Sequence, residues 1–154
     1  MINRPPVVVL INEPQKTFTT GKRQKVAISE KEIATFVKKF IDLRYRWEGF
    51  NSQKIVARIA PLSTKSFKNA LLRKLNGRKF KKIRTKKISQ IPIEPKVYFS
   101  KGKVIASFDK LVKMDGVSLV AQKQVLFILQ KGNKTPWNPM GIYIDGVVEH
   151  EQKN

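Results

Sequence analysis

The stretch VYFSKGKVIASFDKLVKMDGVSLVAQKQVLFILQK, residues 97–131, decides the fold of this chain. Apolar residues occupy alternate positions in three parts of it: Val97 and Phe99; Val104, Ala106, Phe108 and Val112; Val117, Leu119 and Ala121. This period of two is typical of strands with one buried face. Lys101-Gly102 and Asp115-Gly116 separate the three parts, and both pairs can adopt the positive φ angles of tight hairpins. The second half of the chain is therefore predicted to form an antiparallel sheet of consecutive strands.

Two further segments extend this sheet. Residues 125–129 form an unbroken apolar run, which predicts that this part of a strand is covered on both faces. Residues 141–149 alternate again, with Ile142, Ile144 and Val148 on one side, and they predict the last strand.

The segment before the sheet has the pattern of a core-facing helix. Ser29 and Glu32 have capping-box spacing, so a helix is predicted to begin there. Apolar residues follow at helical spacing over about five turns, and they are Ile33, Phe36, Val37, Phe40, Ile41 and Trp47.

Two shorter helices are predicted to follow. Residues 52–60 form the second, which stops before Pro61. The third begins at a Ser63 cap and ends at the left-handed stop Asn76-Gly77, and its core positions are Phe67, Ala70, Leu71 and Leu75.

Helices followed by strands, rather than alternating with them, predict an α+β domain over residues 29–150. In it, three N-terminal helices pack on one face of a curved antiparallel sheet of three to four strands. Residues 1–28, with Arg4-Pro5-Pro6 and a short apolar strand at 7–11, are predicted to be an N-terminal arm, and residues 151–154 a tail. Cysteine is absent, which excludes disulfides, and no apolar run approaches the roughly 20 residues of a membrane span.

The charge of the chain is unusual, because 32 Lys and Arg against 11 Asp and Glu give a net charge of +21. Such a field attracts nucleic acid, anionic lipid or an acidic protein. The candidate phosphate contacts lie on a basic surface at residues 65–87, and they are Arg73, Lys74, Arg78, Lys79, Lys81, Lys82, Arg84, Lys86 and Lys87. A solvated connection whose charge serves solubility explains this segment equally well.

Residues for catalysis are scarce. His150 is the only histidine and is expected to be a solvated residue near the C-terminus. Asp145 and Glu149 fall on one face of the last predicted strand, about 13 Å apart, which is too far for a working carboxylate pair. We predict no catalytic residue, no metal site, no cofactor and no small-molecule substrate.

One polar pair in the first helix has two interpretations. Arg44 and Glu48 are spaced for an i, i+4 ion pair, and both project into the apolar stripe. Together with Tyr45 they could line the mouth of a cavity between helix and sheet. The alternative, which we favour, is a partly buried structural salt bridge near the helix end.

Near the last predicted strand, the sequence Asn138-Pro139-Met140-Gly141 follows Thr135-Pro136-Trp137. It resembles the Asn-Pro-x-Gly signature of the VirB8-like proteins of type IV secretion. The chain also resembles the TraE pilus-assembly proteins of conjugation through Val97-Tyr98-Phe99, the hairpin at 101–104 and the long strand pair 107–113 and 119–131.

This resemblance implies a nuclear-transport-factor-two-like (NTF2-like), cystatin-like fold. It also implies a periplasmic domain of an inner-membrane protein, attached to one transmembrane helix that this chain does not contain, with residues 1–28 as the juxtamembrane arm. Dimerisation and contacts with other secretion-channel subunits are further implications. The signature loop is associated with assembly in the family, so Asn138, Pro139 and Gly141 would have that role here, although a purely structural turn explains them as well.

Three functional hypotheses follow from the sequence. The first is a non-catalytic structural subunit of a type IV secretion or conjugation apparatus. The second is a sequence-nonspecific nucleic-acid-binding module that uses the basic surface. The partners that this surface could bind are DNA or anionic lipid. A cavity enzyme or ligand binder built around Arg44, Tyr45 and Glu48 ranks last, because no acid–base pair accompanies these residues.

Overall fold

A computed structural model describes residues 28–152, with the side chains of residues 28–150. The apolar strand predicted at 7–11 lies outside the described residues. No helix within the described range is long and apolar enough to cross a membrane.

The helices come first in the chain. Helix α1 spans Glu30–Tyr45, α2 spans Ser52–Ile59 and runs into a 3-10 turn at Ala60–Leu62, and α3 spans Lys65–Leu75. A second 3-10 turn, Arg78–Phe80, leads into the four-residue helix α4, Lys81–Arg84. The predicted capping box at the start of α1 is confirmed, because the Ser29 hydroxyl accepts from the Glu32 amide and the Glu32 carboxylate accepts from the Ser29 amide.

The strands form one antiparallel sheet in the order β1-β2-β3-β4-β5. They span Trp47–Glu48 (β1), Ile88–Ser100 (β2), Lys103–Met114 (β3), Val117–Lys131 (β4) and Ile142–Gln152 (β5). Lys101 and Asp115 have positive φ, as does the glycine after each, so both predicted hairpin turns are confirmed. Bulges in β2 and between β4 and β5 increase the twist of the sheet.

The core lies between the helices and one face of the sheet. The α1 residues Val37, Phe40 and Ile41 are fully buried, and the Phe40 ring meets that of Phe127 on β4 edge-on at 5.8 Å. The predicted α+β class, with helices on one face of a curved antiparallel sheet, is therefore confirmed. Within residues 28–152 the sheet has five strands instead of three to four, because the two-residue strand β1 is too short to show alternation.

The end of α1 differs from its prediction. The helix stops at Tyr45, where Arg46 turns to extended backbone, and Trp47 then pairs with Gln90 in the sheet. Glu48 is therefore on a strand and exposed, so the predicted ion pair between Arg44 and Glu48 is wrong. An i, i+4 pair needs an unbroken helical turn, and here the turn is absent.

Smaller differences concern α3 and β4. Thr64, not Ser63, caps α3 by accepting from the Phe67 amide, and the predicted core residue Ala70 is exposed. The apolar run 125–129 is buried at alternate positions only, since Leu126 and Ile128 on the other face are half-buried. The prediction of two covered faces was wrong because the helices cover a single face. The last strand extends to Gln152, which places the first two residues of the predicted tail in the sheet.

Candidate assembly loop and basic surface

The segment between β4 and β5, residues 132–141, contains the predicted signature and is called the assembly loop below. Asn138 is the residue that fixes its shape. The Asn138 side chain is 2% exposed, and its amide nitrogen donates to the carbonyl oxygens of Ile142 at 2.7 Å and Pro61 at 3.2 Å. The loop is thereby attached to the connection between α2 and α3. Because a buried amide without these partners would be costly, Asn138 has a clear structural role.

Gly141 closes the same loop against the end of β4. Its φ is +69°, and a Cβ atom placed there would lie 2.9 Å from the Gly132 carbonyl oxygen. The Gly132 amide in turn donates to the Gly141 carbonyl oxygen at 2.8 Å. Both the backbone angle and the available space therefore favour glycine at this position.

The surface of the assembly loop is formed by other residues. Pro139 is exposed, and Trp137 is 71% exposed, the largest value among the exposed large apolar residues that the structure describes. Trp137 was not among the predicted site residues, although it adjoins the signature in the sequence. Trp137 is therefore a candidate contact residue, because tryptophan is enriched where protein surfaces meet and this indole is exposed beside the buried, hydrogen-bonded Asn138.

Glu149, on β5, contacts four polar side chains from other elements. Sequence reasoning did not predict these contacts. The Glu149 carboxylate lies 3.1 Å from Lys123 Nζ, 3.6 Å from Lys74 Nζ and 4.0 Å from Arg44 Nη2, and it accepts from the Tyr45 hydroxyl. These five residues are called the Glu149 cluster. The cluster joins α1, α3, β4 and β5, whose residues are far apart in the sequence, so no local motif indicates it.

The charge state of Glu149 follows from this environment. Burial by itself would raise its pKa, since it disfavours the charged form. The charges of Arg44 and Lys123 outweigh burial, assisted by the Tyr45 hydroxyl and by Lys74, and the pKa is lowered from 4.5 to about 2. The carboxylate is therefore ionised at neutral pH and cannot act as a proton donor there.

The predicted cavity residues Arg44, Tyr45 and Glu48 are not brought together. Arg44 and Tyr45 are buried in the Glu149 cluster, where the guanidinium lies 4.5 Å from the centre of the Tyr45 ring. Glu48 instead borders two cavities, one of about 650 Å³ beside the β3–β4 turn and one of about 350 Å³ beside α2. The prediction of a shared cavity is wrong because α1 ends before Glu48.

Most of the basic surface is available for contacts. All nine predicted residues are exposed, but two of them are engaged within the chain. Lys74 pairs with Glu149, and Arg84 donates to the carbonyl oxygens of Leu75 and Gly77 at the end of α3. Seven remain without an ion pair among the described side chains, and they are Arg73, Arg78, Lys79, Lys81, Lys82, Lys86 and Lys87.

The basic surface is held to the domain by the two apolar residues interleaved in it. Phe80 stacks on Phe50, with ring centres 5.4 Å apart and planes 7° from parallel. Ile83 packs against the core beside it. These two contacts attach the segment that contains the neighbouring lysines to the domain.

Asp145 and His150, the two remaining polar residues considered for catalysis, lie in different surroundings. Asp145 accepts from the Thr64 hydroxyl at 2.7 Å, and His150 is exposed on β5. Within the described range, no group of three or more His, Cys, Asp or Glu could hold a metal ion.

The architecture matches solved structures of type IV secretion proteins. VirB8 of Agrobacterium tumefaciens superposes with a TM-score of 0.60 and 11% identity, over 78% of this chain and 90% of that one. The chain has the VirB8-like fold. A TraE protein gives a TM-score of 0.60 with 12% identity over 78% of this chain and 95% of the other. The periplasmic domain of DotI gives 0.59 with 13% identity over 84% and 99%.

The VirB8-like fold is identified by structure and not by sequence. No family model matches the chain, and no curated protein gives a significant sequence match. The resemblance predicted from the assembly loop and the strand pattern is therefore confirmed for the fold, including the TraE-like arrangement of helices and strands.

Proposed function

We propose that this chain is a non-catalytic assembly subunit of a bacterial type IV secretion or conjugation apparatus. In this role it is the periplasmic domain of an inner-membrane protein, and it associates with itself and with other channel subunits. The fold shared with VirB8, TraE and DotI supports the proposal. The observation that carries it is the exposed Trp137 on an assembly loop whose base, Asn138, is buried and donates two side-chain hydrogen bonds.

The loop has two separable parts, and each has its own role in the proposal. Asn138 and Gly141 hold the backbone, so their role is indirect. Trp137 and Pro139 form the surface that a partner contacts, because they are exposed next to that fixed backbone. The proposed contact residues therefore extend the predicted set of Asn138, Pro139 and Gly141 by Trp137.

The test compares surface and base variants in the full-length protein within its secretion or conjugation system. Trp137→Ala should keep the unfolding temperature and reduce transfer at least about tenfold, since interface tryptophans often contribute 2 kcal/mol or more to binding. Asn138→Ala should lower both stability and transfer. Tyr98→Ala is the matched control, because Tyr98 is an aromatic residue that is 48% exposed on β2. Wild-type transfer by a folded Trp137→Ala variant would refute the proposed contact.

A second function, sequence-tolerant binding of a polyanion, is favoured by the seven cations of the basic surface that form no ion pair with another described side chain. Duplex DNA is the first ligand to test, by titration across a range of salt concentrations. Affinity should fall steeply with salt, and replacing Arg78, Lys79 and Lys82 by alanine should weaken binding and flatten the salt dependence. Replacing Lys101, Lys103 and Lys131 by alanine removes equal charge elsewhere and is the control. Failure to bind at low salt would end the nucleic-acid proposal, and binding to anionic vesicles alone would replace DNA by lipid.

A further inference from the structure

The end of the β3–β4 hairpin, residues 111–122, is an exposed apolar surface and is called the hairpin tip below. Val117 and Leu119 are each 56% exposed and Val120 is 60% exposed. Half of the six exposed large apolar residues among the described side chains therefore lie within four positions. The tip contains one lysine and one aspartate, so it is electrically neutral in a chain with a net charge of +21. A cluster of exposed apolar residues of this kind marks a surface that contacts another molecule.

The cavity of about 650 Å³ beside the β3–β4 turn adjoins the hairpin tip. Its volume lies in the range of about 300–1,000 Å³ that proteins use to enclose a bound group. Two acids and two lysines line it, and they are Glu48, Lys87, Lys113 and Asp115. All four are exposed, and none of them forms an ion pair with another described side chain. The cavity therefore offers charges of both signs to a group that also has both.

The two charges of the hairpin tip have the spacing of the two other charges in the cavity wall. Glu48 is opposite Ser89, and Lys87 precedes Ser89 by two residues, so Glu48 and Lys87 are diagonal neighbours about 7–8 Å apart. Lys113 and Asp115 are two residues apart along the chain, which is at most about 7 Å. The tip of a second copy can therefore place each of its charges beside an opposite charge of the wall.

We propose that the hairpin tip of one copy of this chain lies in the cavity of a second copy, and that the second copy does the same in return. Lys113 then lies beside the partner's Glu48, and Asp115 beside the partner's Lys87. Because tip and cavity adjoin each other in every chain, a single two-fold axis forms both contacts and closes the interface. Val117, at the end of the tip, is removed from water in the same contact.

The overall charge of the chain does not prevent this association. At physiological ionic strength, charges further apart than about 8 Å are largely screened, and the four charges that line the cavity sum to zero. One tip and one cavity per copy form a small interface, of the transient class that buries less than about 1,200 Å². Attachment of several copies to one channel would raise their effective concentration. This last step rests on the proposed function, whereas the contact is tested with the purified chain, so the two can fail separately.

Sedimentation of the purified full chain over a range of concentrations tests the contact. The parent should form a weak dimer, and Glu48→Lys should weaken it at least about tenfold, because like charges then meet across the interface. Adding Lys113→Glu should restore most of the lost affinity, since the pair again has opposite signs. Glu94→Lys is the matched control, because it makes the same change of charge at an exposed position of β2, six residues from Ile88. Thermal unfolding of each variant checks that the domain is folded.

Cysteine cross-linking locates the contact. The chain has no cysteine, so Val117→Cys with Ser89→Cys places one thiol on the hairpin tip and one in the cavity. Within one copy β3 separates these positions by about 10 Å, which exceeds the roughly 7 Å that a disulfide can span. Oxidation should therefore give covalent dimers and no internal disulfide. Val148→Cys with Ser89→Cys is the control and should stay monomeric, because Val148 lies on β5.

Three results would overturn the inference. The first is a chain that stays monomeric at every concentration and gives no cross-link. The second is a dimer whose affinity Glu48→Lys leaves unchanged, which would place self-association on another surface. The third is slow reaction of Val117→Cys with a thiol reagent in dilute, monomeric protein, which would show that another part of the same chain covers the hairpin tip.

Discussion

Removal of the charge at Glu149, by Glu149→Gln, should destabilise the domain more than any other neutralisation of an acidic side chain. The glutamine keeps the size of the side chain and can still accept from the Tyr45 hydroxyl. What changes is that Arg44 and Lys123, each with a side chain only 7% exposed, then face a neutral group. Buried cations that lose their counter-charge typically cost 3–5 kcal/mol.

The pKa of Glu149 gives a second value for the same effect. A shift from 4.5 to about 2 corresponds to about 3 kcal/mol of stability at neutral pH. Solvent screening reduces this value little, because the Glu149 side chain is 15% exposed. The sign follows from the direction of the shift. The folded-state pKa is lowered, so the stability is present above pH 4.5 and is lost as the pH falls toward 2.

Urea denaturation, followed by tryptophan fluorescence, measures the effect, since Trp47 is buried next to α1. At pH 7 the variant should lose about 3 kcal/mol, and between pH 4.5 and pH 2 its stability should vary less with pH than that of the parent. Glu48→Gln, which neutralises an exposed acid on β1, should change stability by less than about 0.5 kcal/mol. A loss below about 1 kcal/mol at pH 7, with an unchanged pH slope, would refute the role of the cluster.

Three further predictions concern local structure. Gly141→Ala should lower the free energy of unfolding by about 2–4 kcal/mol, because of the positive φ and the clash with the Gly132 carbonyl oxygen. Gly49 has a similar φ but open space around it, so Gly49→Ala should lower it by about 1–2 kcal/mol. Equal losses of stability in thermal unfolding would contradict the clash. Ser29→Ala removes the cap of α1 and should lower the free energy of unfolding, measured by urea denaturation, by about 1 kcal/mol. An unchanged free energy of unfolding would mean that the capping box does not stabilise the domain. Phe80→Ala removes a stacked ring and should accelerate trypsin cleavage within residues 78–87 several-fold, and an unchanged rate would show that the stacking does not hold the segment.

The parts of the fold that sequence predicted are those set by neighbouring residues. The capping box at Ser29, the apolar stripe of α1 and the turns at Lys101 and Asp115 all depend on interactions within a few positions. Alternation in β3 and β4 was visible for the same reason, because each strand has one buried face. Such signals suffice for the order of helices and strands, and so for the fold class.

The errors have a common physical origin in tertiary contacts. Trp47 continues the helical spacing of α1, yet pairing with β2 takes it out of the helix. Ser63 and Thr64 both have side chains that can cap α3. The Ser63 hydroxyl donates to the Ile59 carbonyl oxygen, whereas the Thr64 amide donates to the Ile144 carbonyl oxygen of β5 and the Thr64 side chain is the cap. Glu149 could not be recognised because its partners lie on three other elements, α1, α3 and β4, far from it in the sequence.

Asp145 and Glu149 have a structural role that their spacing in the sequence did not predict. As a catalytic pair they are too far apart, but in the structure they hold the two ends of α3. Asp145 accepts from Thr64, the cap at its beginning, and Glu149 pairs with Lys74 near its end. The helix that begins the basic surface is thus attached at both ends to β5.

The assembly loop leads directly into the same strand, and Asn138 joins it to Pro61, just before α3. Both candidate surfaces are therefore attached to β5 and to the start of α3. If both bind partners, the positions of those partners relative to each other are fixed by β5, and loss of the Glu149 charge should loosen the basic surface before the assembly loop. Amide exchange near Lys74 that stays as slow in Glu149→Gln as in the parent would contradict this order.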